Sequence, residues 1–246
     1  MSAEAYAKSR MKHREMYVIL AECFISIFFE WKIFVLYDFI WWTDNSTIWS
    51  KVPVISAVTT FYCVTIGRWI MAAISTRFFE ARDPDWILLY FHHVVTITLI
   101  TCSYLTGNCR VGVCILFLHQ VSDIFISLCK ATHYLSWDWD HTPLPVAEGL
   151  FVLNLVTWAY TRLYLYPKSC IWSAIVERSV NGVVNQRSWD FDVLIGGGII
   201  LEMMHWFWFI EMIRVAVKLL LGESATKAGS SYLEEETREG KRKKSN

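Results

Sequence analysis

The segment that decides the fold is WILLYFHHVVTITLITCSY, residues 86–104, in which two adjacent histidines interrupt an otherwise apolar run. A second apolar segment, ILFLHQVSDIFISLCK, follows at residues 115–130 and carries His119 and Asp123. Ionisable side chains are costly at membrane depth, so they are retained mainly where they serve a function. The pattern therefore favours a membrane enzyme over a purely structural helical bundle.

The composition supports a membrane protein. Of the 246 residues, 54% are hydrophobic and 16% aromatic, and the mean hydropathy is +0.34. The 23 basic and 23 acidic side chains cancel, so net charge gives no reason to expect nucleic acid as a partner. The seven cysteines show no CxxC spacing, which indicates packing residues rather than a disulfide framework. The basic amino-terminal segment lacks the apolar core of a cleaved signal peptide, so none is expected.

The hydropathy pattern predicts about six membrane-spanning helices, each needing about 20 residues to cross about 30 Å of hydrocarbon. No alternating barrel pattern is present, so the expected fold is an all-α polytopic bundle. The predicted spans are residues 17–37, 52–74, 86–104, 111–128, 146–165 and 193–221. They form a predicted membrane domain, residues 17–222, between a basic amino-terminal segment, residues 1–16, and a polar tail, residues 223–246, expected to be disordered.

The basic residues predict the orientation. They precede the first span, they occur as Arg77 and Arg82 between the second and third spans, and they recur at 241–244. Six spans place all three groups on one side, which the positive-inside bias makes cytosolic. The sequence closes with KKSN, which resembles a dilysine retrieval signal. The expected location is the endoplasmic reticulum membrane, with both termini cytosolic.

The fourth predicted span carries a polar stripe on a lipophilic helix. At about 100° per residue, His119, Asp123 and Lys130 lie within about 40° of one another. Ser122 and Ser127 flank them. Such a stripe is expected to face the interior of the bundle or a wet cavity rather than lipid.

The adjacent histidines of the third span cannot point in one direction. His92 shares a helical face with Thr96 and Ser103, whereas His93 shares its face with Tyr104. We therefore expect at most one of the two imidazoles to point into a site, with the other supporting it.

Two other interpretations of the histidines stay open at this point. A single buried histidine is more often a satisfied structural residue than a catalyst. A metal site is also conceivable, because His119 and Asp123 at i, i+4 could share a cation and His92 or His93 could add a ligand. The chain lacks the repeated HxxHH clusters of membrane hydroxylases, so no bound metal is expected. It also lacks a GxSxG elbow and a glycine-rich phosphate loop, which argues against serine hydrolase and nucleotidase functions.

These segments resemble the Lag1 motif of the TRAM-LAG-CLN8 (TLC) domain family. That motif reads approximately HHxxTxxLxxxSYxxNxxRxG, followed by LHDxSDxxLxxxKxxNY. FVLNLVTWAYTRLYLYP at residues 151–167 and LEMMHWFWFIEMIRV at residues 201–215 are similar to later parts of the same domain. The resemblance covers about residues 20–222 and points to the ceramide synthases within the family.

The resemblance implies acyl-CoA-dependent N-acylation of a sphingoid base to give (dihydro)ceramide. It implies catalytic roles for His92, His93 and Asp123, with further polar residues in support: His119, Ser122, Ser127, Lys130, Tyr104 and Arg110. Acyl-CoA would be a co-substrate, and no cofactor is expected to be bound. The implied partners are the long-chain base, the fatty acyl-CoA and membrane lipids, and a homo- or hetero-oligomer with other membrane subunits is left open.

The chemistry of N-acylation suits these residue types. An amine must lose a proton before it attacks a thioester, and a histidine can remove that proton or can itself carry the acyl group as an acyl-imidazole. Asp123 would orient and polarise such an imidazole. Basic residues such as Arg77, Arg82 or Lys130 could meet the phosphates of CoA.

Two departures from the family pattern support a competing hypothesis. Gln120 stands where the family has an acid, and Asn108 is displaced by one residue relative to Arg110. Because non-catalytic members of the domain family often lose motif acids, the alternative is a protein that binds or senses lipids or partners other membrane proteins.

Overall fold

The computed structural model describes residues 3–38, 41–42, 45, 48–49, 52–79, 85–138, 144–180 and 189–221, and no strand occurs in these ranges. The prediction of an all-α membrane protein is thereby confirmed. Arg82 and the tail with its Lys243-Lys244 pair lie outside the described residues. The predictions that rest on them stay predictions.

Long helices joined by short connections make up the described chain. In chain order they are α1 (Ala3–Leu36), α2 (Ser56–Phe78), α3 (Trp86–Leu105), α4 (Cys109–Asp138), α5 (Leu144–Trp158), α6 (Ser173–Val180) and α7 (Trp189–Leu220). Two π-helical segments, π1 (Ala159–Leu165) and π2 (Pro167–Trp172), lie between α5 and α6.

Four helices of the described chain are long and apolar enough to cross a membrane: α2, α3, the Cys109–Thr132 part of α4, and α7. The other two predicted spans fall on α1 and on α5 with π1. Helix α1 is long enough but carries Glu22, Glu30 and Lys32. Helix α5 is short because its regular α-helical backbone ends at Trp158.

Helix α1 is placed by its packing against α4, the most extensive helix–helix contact among the described residues. Its buried face includes Glu30, which is fully buried, and about two turns nearer the amino terminus Glu22 forms an ion pair of 3.2 Å with Arg68 of α2. The two acidic side chains that weaken α1 as a membrane span therefore face other helices, whereas Lys32 is exposed. The helix also begins at Ala3, so the basic amino-terminal segment is continuous with it.

The π-helical segments have an identifiable cause in Pro167. Proline has no N–H, and its ring clashes with the carbonyl of the residue four positions earlier in a regular α-helix. A wider π-helical backbone relieves such conflicts and frequently marks functional sites. Here it surrounds Arg162 and Tyr166, both of which are buried.

Helix α7 approaches its neighbours closely at its run of three glycines. A Cβ on Gly197 would lie 2.6 Å from Leu99 Cδ2 of α3, and a Cβ on Gly198 would lie 3.1 Å from the Tyr166 hydroxyl. That hydroxyl donates a hydrogen bond of 2.9 Å to the Gly198 carbonyl. The absence of side chains at these glycines thus brings α3, α7 and the π-helical region together around one interior space.

Candidate active site

An apolar cavity occupies that interior space. Three helices line it over the same length: α3 from Thr96 to Ser103, α4 from Val111 to His119, and α7 from Leu194 to Leu201. Each stretch covers seven or eight residue steps, so the cavity extends about 10–12 Å along the helices. Its empty volume is about 620 Å³, counting the part that is open to the outside.

Polar side chains lie at the two ends of the cavity, and the wall between them is apolar. Leu99 and Ile100 of α3, Ile115 of α4 and Ile195 of α7 form part of this wall. His119 lies at one end, which we call the histidine end, and Ser103 lies at the other. A space with this distribution suits a hydrocarbon chain, because apolar surface there replaces contact with water.

His92 lies on α3 one helical turn before Thr96, just beyond the histidine end. Its side chain is 5% exposed, and its ring contacts the indoles of Trp69 and Trp208, with centroid distances of 5.7 and 5.3 Å. Among the described residues no hydrogen bond reaches either of its ring nitrogens, and Nδ1 is buried without a partner. His92 is therefore an interior imidazole whose hydrogen-bonding capacity is unused.

His93 has different surroundings. Its Nε2 lies 3.2 Å from the Thr76 hydroxyl of α2, and its ring lies beside the Trp69 indole at a centroid distance of 5.4 Å. The planes of the His92 and His93 rings are inclined by 55°. Nδ1 of His93 is buried without a partner, as it is in His92, so the two imidazoles differ in the hydrogen bond to α2 that His93 makes through Nε2.

His119 and His205 form a pair across α4 and α7 in which every ring nitrogen has a polar partner. Nδ1 of His119 lies 2.7 Å from the Ile115 carbonyl, and its Nε2 lies 2.9 Å from Nε2 of His205. A carbonyl only accepts, so we assign the proton of His119 to Nδ1 and the shared proton to His205 Nε2. Nδ1 of His205 then faces Glu202 Oε2 at 3.5 Å, which requires one further proton between imidazole and carboxylate.

Arg162 of π1 holds the polar stripe of α4. Its Nε donates a hydrogen bond of 2.6 Å to the Ser122 hydroxyl, and its NH2 group donates to the His119 carbonyl and forms an ion pair with Asp123. The guanidinium also lies over the Trp158 ring, 4.0 Å from its centroid. A buried charge needs such partners, because an ion pair repays its desolvation only when further hydrogen bonds satisfy the remaining donors.

The expected role of Asp123 requires contact with an imidazole, but the observed partner of its carboxylate is a guanidinium. Its carboxylate pairs with Arg162, and Arg162 in turn binds the backbone of His119. Among the described residues no contact joins Asp123 to His92 or His93. Any influence of Asp123 on an imidazole passes through Arg162.

Two of the expected supporting residues lie at the opposite end of the bundle. The Tyr104 hydroxyl donates to Thr59 Oγ1 at 3.3 Å, and Arg110 donates to the Tyr37 carbonyl at 3.1 Å. Both contacts hold the α3–α4 connection against the start of α2 and the end of α1. They stabilise the bundle at a distance from the histidines.

The remaining residues of the polar stripe differ in exposure. Ser127 is buried, whereas Lys130, at the far end of the stripe, is exposed. Gln120 is 2% exposed, and its side-chain oxygen has no hydrogen-bond partner among the described residues. The described part of the chain contains no group of three His, Cys, Asp or Glu side chains that could hold a metal ion.

Several interior residues were missed from the sequence as site residues: Arg162, His205, Glu202, Trp158 and Trp208. The sequence did contain a signal for some of them, since Arg162, Glu202 and His205 are ionisable residues inside predicted spans. It contained none for the tryptophans, which are indistinguishable in sequence from the many lipid-facing aromatic residues.

Comparison with known proteins assigns the chain to a family. The sequence profile of the TLC domain, TRAM_LAG1_CLN8, matches residues 15–214. The chain belongs to the TLC domain family.

Relatives with curated names agree with one another. The chain is 28% identical over 222 residues to ceramide synthase hyl-1 of Caenorhabditis elegans, covering 84% of this chain and 59% of that protein. It is 26% identical over 201 residues to human ceramide synthase 5, covering 81% and 49%, and 27% identical over 188 residues to ceramide synthase LOH1 of Arabidopsis thaliana, covering 73% and 57%. The chain thus spans about half to three fifths of the length of these relatives.

Proposed function

We propose that this chain is an acyl-CoA-dependent N-acyltransferase that joins a fatty acyl group to a sphingoid base, giving (dihydro)ceramide. Membership of the TLC family and relatives named ceramide synthases support the reaction class. The apolar cavity beside a group of histidines supports a lipid substrate.

The observation that carries the proposal is the unused imidazole of His92. His119 and His205 occupy each other's ring nitrogens, and His93 is bonded to Thr76. A base or nucleophile needs a ring nitrogen that is available to the substrate. Among these four interior histidines, His92 has no hydrogen bond at either ring nitrogen in the described structure, whereas His93 has an unpaired Nδ1 but is held to Thr76 through its Nε2. We therefore assign His92 as the reacting group and His93 as its support.

The reaction balances with one imidazole. The substrate ammonium loses one proton to become an amine, and the amine nitrogen attacks the thioester carbon. The new C–N bond forms and the C–S bond breaks. A second proton leaves the nitrogen as the amide forms. One of the two protons converts the leaving thiolate to free CoA thiol, and the other is released to water. His92 can remove a proton from the attacking nitrogen, or it can first take the acyl group as an acyl-imidazole that the amine then attacks.

The positions of the cavity and of the exposed basic side chains suggest how acyl-CoA is oriented. An acyl chain lying in the cavity places its carbonyl at the histidine end, next to His92. Arg77 at the end of α2 and Lys130 on α4 are exposed and follow the histidine end along their helices. We assign the CoA phosphates to this end, because phosphate groups are attracted by Lys and Arg side chains.

The test of this function is direct. Membranes containing the protein receive labelled sphinganine and a panel of acyl-CoAs, and the labelled amide is quantified. We expect amide formation by the wild-type chain and by Phe91→Ala, a control on the exposed face of α3 beside His92. We expect none above background with His92→Ala. Equal rates for His92→Ala and wild type would refute the assignment of His92.

The competing hypothesis, a non-catalytic lipid-binding member, rests on Gln120. It predicts an inert wild-type protein that becomes active as Gln120→Asp. Our proposal instead predicts a wild type that is active without Gln120→Asp, since no hydrogen bond among the described residues joins Gln120 to the Arg162 network.

The same proposal places the histidine end on the cytosolic side, where acyl-CoA is available. A reporter loop with a glycosylation sequon inserted beside Thr47 should be glycosylated, whereas one inserted beside Arg82 should not. The opposite pattern would put His92 on the side without acyl-CoA. Residence in the endoplasmic reticulum stays a prediction and is checked by the location of a fluorescent fusion.

A further inference from the structure

We propose that Trp49, together with the junction of Tyr62, Ser103 and Gly112, forms the wall that limits the length of the acyl chain. The inference rests on the proposed N-acylation and deepens it, because it names the residues that select among acyl-CoA substrates. We call this wall the floor of the cavity. It lies at the end opposite His92.

The direction of the acyl chain follows from the three lining helices. Thr96 and His119 lie at one end of their lining stretches, and Ser103 and Val111 lie at the other. His92 precedes Thr96 by one turn, so an acyl carbonyl at His92 sends its tail past Thr96 toward Ser103. The terminal carbons then meet the floor after about 10–12 Å of apolar wall.

The first half of the floor is a hydrogen-bonded junction without free space. The Tyr62 hydroxyl lies 3.2 Å from both Ser103 Oγ and the Cys109 carbonyl. Helix α4 approaches this pair through Gly112, where a Cβ would lie 2.3 Å from the Tyr62 hydroxyl and 2.5 Å from Ser103 Oγ. Tyr62 and Ser103 are 0% and 1% exposed, so this part of the floor cannot yield without breaking buried hydrogen bonds.

The second half of the floor is the indole of Trp49, which precedes α2. Its Nε1 donates a hydrogen bond of 3.0 Å to Ser173 Oγ, and its ring lies 4.7 Å from that of Phe191. The side chain is buried and contributes to the cavity lining. A tryptophan fixed at both its polar and its apolar face is a rigid stop.

Because the wall is fixed, the length of the acyl chain determines how favourable the free energy of binding is. Each methylene that finds apolar space gains burial, and each one that meets the wall must leave the cavity or displace packed side chains. Gain or loss of one methylene therefore changes the relative rate of two acyl-CoAs by about fourfold.

The first test enlarges the floor. Trp49→Ala should shift amide products toward longer acyl chains, by at least tenfold in the ratio of products two carbons longer to the wild-type optimum. Trp42→Ala is the matched control, since this nearby tryptophan is half-exposed and stacks on Trp31 outside the cavity. The control should keep the wild-type product profile.

The second test shortens the space available to the acyl chain near the floor. It does not depend on removing a buried indole. Ile195→Phe fills cavity space one residue from Leu194 and should shift products toward shorter chains. Ile199→Phe, one turn along α7 on an exposed position, is its control. If Trp49→Ala protein fails to accumulate, the Ile195→Phe pair decides the result alone.

The outcomes separate the two proposals. Amide formation with the wild-type length profile in both Trp49→Ala and Ile195→Phe would overturn the floor while leaving N-acylation standing. Absence of amide from the wild-type chain with every acyl-CoA would overturn the proposed function. A photoreactive diazirine at the terminal carbon of a bound acyl-CoA identifies the residues beside that carbon, and this experiment does not require turnover. Crosslinks at Trp49, Ser103 or Gly112 support the floor, and crosslinks elsewhere contradict it.

Discussion

The interior contains two histidine pairs of similar burial and opposite chemical character. His119 and His205 come from different helices and use one another, a backbone carbonyl and a carboxylate to occupy all four ring nitrogens. His92 and His93 are neighbours in sequence, and only His93 has a hydrogen-bond partner among the described residues. Burial alone therefore does not distinguish a histidine whose ring nitrogens all have partners from one whose ring nitrogens do not.

The difference between the pairs follows from their placement in the helices. His119 and His205 face one another across α4 and α7, so each satisfies the other. Adjacent residues on one helix point about 100° apart and cannot do so. The α3 pair is thus left with three ring nitrogens that have no hydrogen bond among the described residues, both of His92 and Nδ1 of His93. On our proposal a substrate takes the place of the missing partner at His92.

The largest expected effect concerns His92 and His93, the pair that has unpaired ring nitrogens. His92→Gln keeps a polar side chain of similar reach but removes the imidazole, so N-acylation should fall by about 10²–10⁴-fold. The melting temperature in detergent should stay within about 2 °C of wild type, because no hydrogen bond is lost. A large loss of thermal stability with unaffected turnover would reverse the roles assigned to the two pairs.

The next effect concerns the ion pair of Asp123 and Arg162, which lies beside the pair of His119 and His205. Asp123→Asn leaves the Arg162 charge buried without its carboxylate and should lower the free energy of unfolding by about 3–5 kcal/mol. The double variant Asp123→Asn/Arg162→Met should recover part of this loss, because it removes the uncompensated charge. A thermal unfolding series of the single and double variants measures the difference. If the double variant is no more stable than Asp123→Asn, the ion pair does not explain the loss.

A smaller effect should distinguish two substitutions of His205. Glutamine can still donate an N–H to His119 Nε2, whereas phenylalanine cannot and leaves that nitrogen buried without a partner. We expect His205→Phe to be less stable than His205→Gln by about 1–3 kcal/mol. Equal stability of the two variants would contradict the assignment of the shared proton to His205.

The smallest effect concerns the bond between His93 and α2. Thr76→Val removes the hydroxyl and keeps the shape of the side chain, so it should lower turnover by about tenfold or less through a looser His93. Ser75→Ala, the preceding position on the same helix, serves as its control. A change in turnover as large as that of His92→Gln would make His93 rather than His92 the reacting imidazole.

Much of the fold could be predicted from the sequence. The apolar runs predicted helices at α2, α3, α4 and α7, because a membrane requires long, continuously hydrogen-bonded apolar segments. The limits of α3 agree to within one residue and those of α2 and α7 to within four, whereas α4 continues ten residues past its predicted end. The π-helical region after Trp158 could not be predicted, since the consequence of Pro167 depends on how neighbouring helices satisfy the backbone groups it leaves unpaired.

The candidate site was predicted less completely. The polar stripe of α4 indicated that His119 and Ser122 face inward, and both are buried. Periodicity on one helix could not reveal partners on another, so the contacts of His119 with His205 and of Asp123 with Arg162 emerged only from the tertiary structure. For the same reason the distant positions of Tyr104 and Arg110 were not foreseen.

The most direct test of the central claim is chemical rescue of His92→Ala by free imidazole. If the imidazole of His92 is the reacting group, added imidazole should restore amide formation in a concentration-dependent manner at this variant. It should give no comparable gain with His93→Ala or His119→Ala. Rescue at His93→Ala or His119→Ala without rescue at His92→Ala, or wild-type turnover by His92→Ala before imidazole is added, would contradict the account.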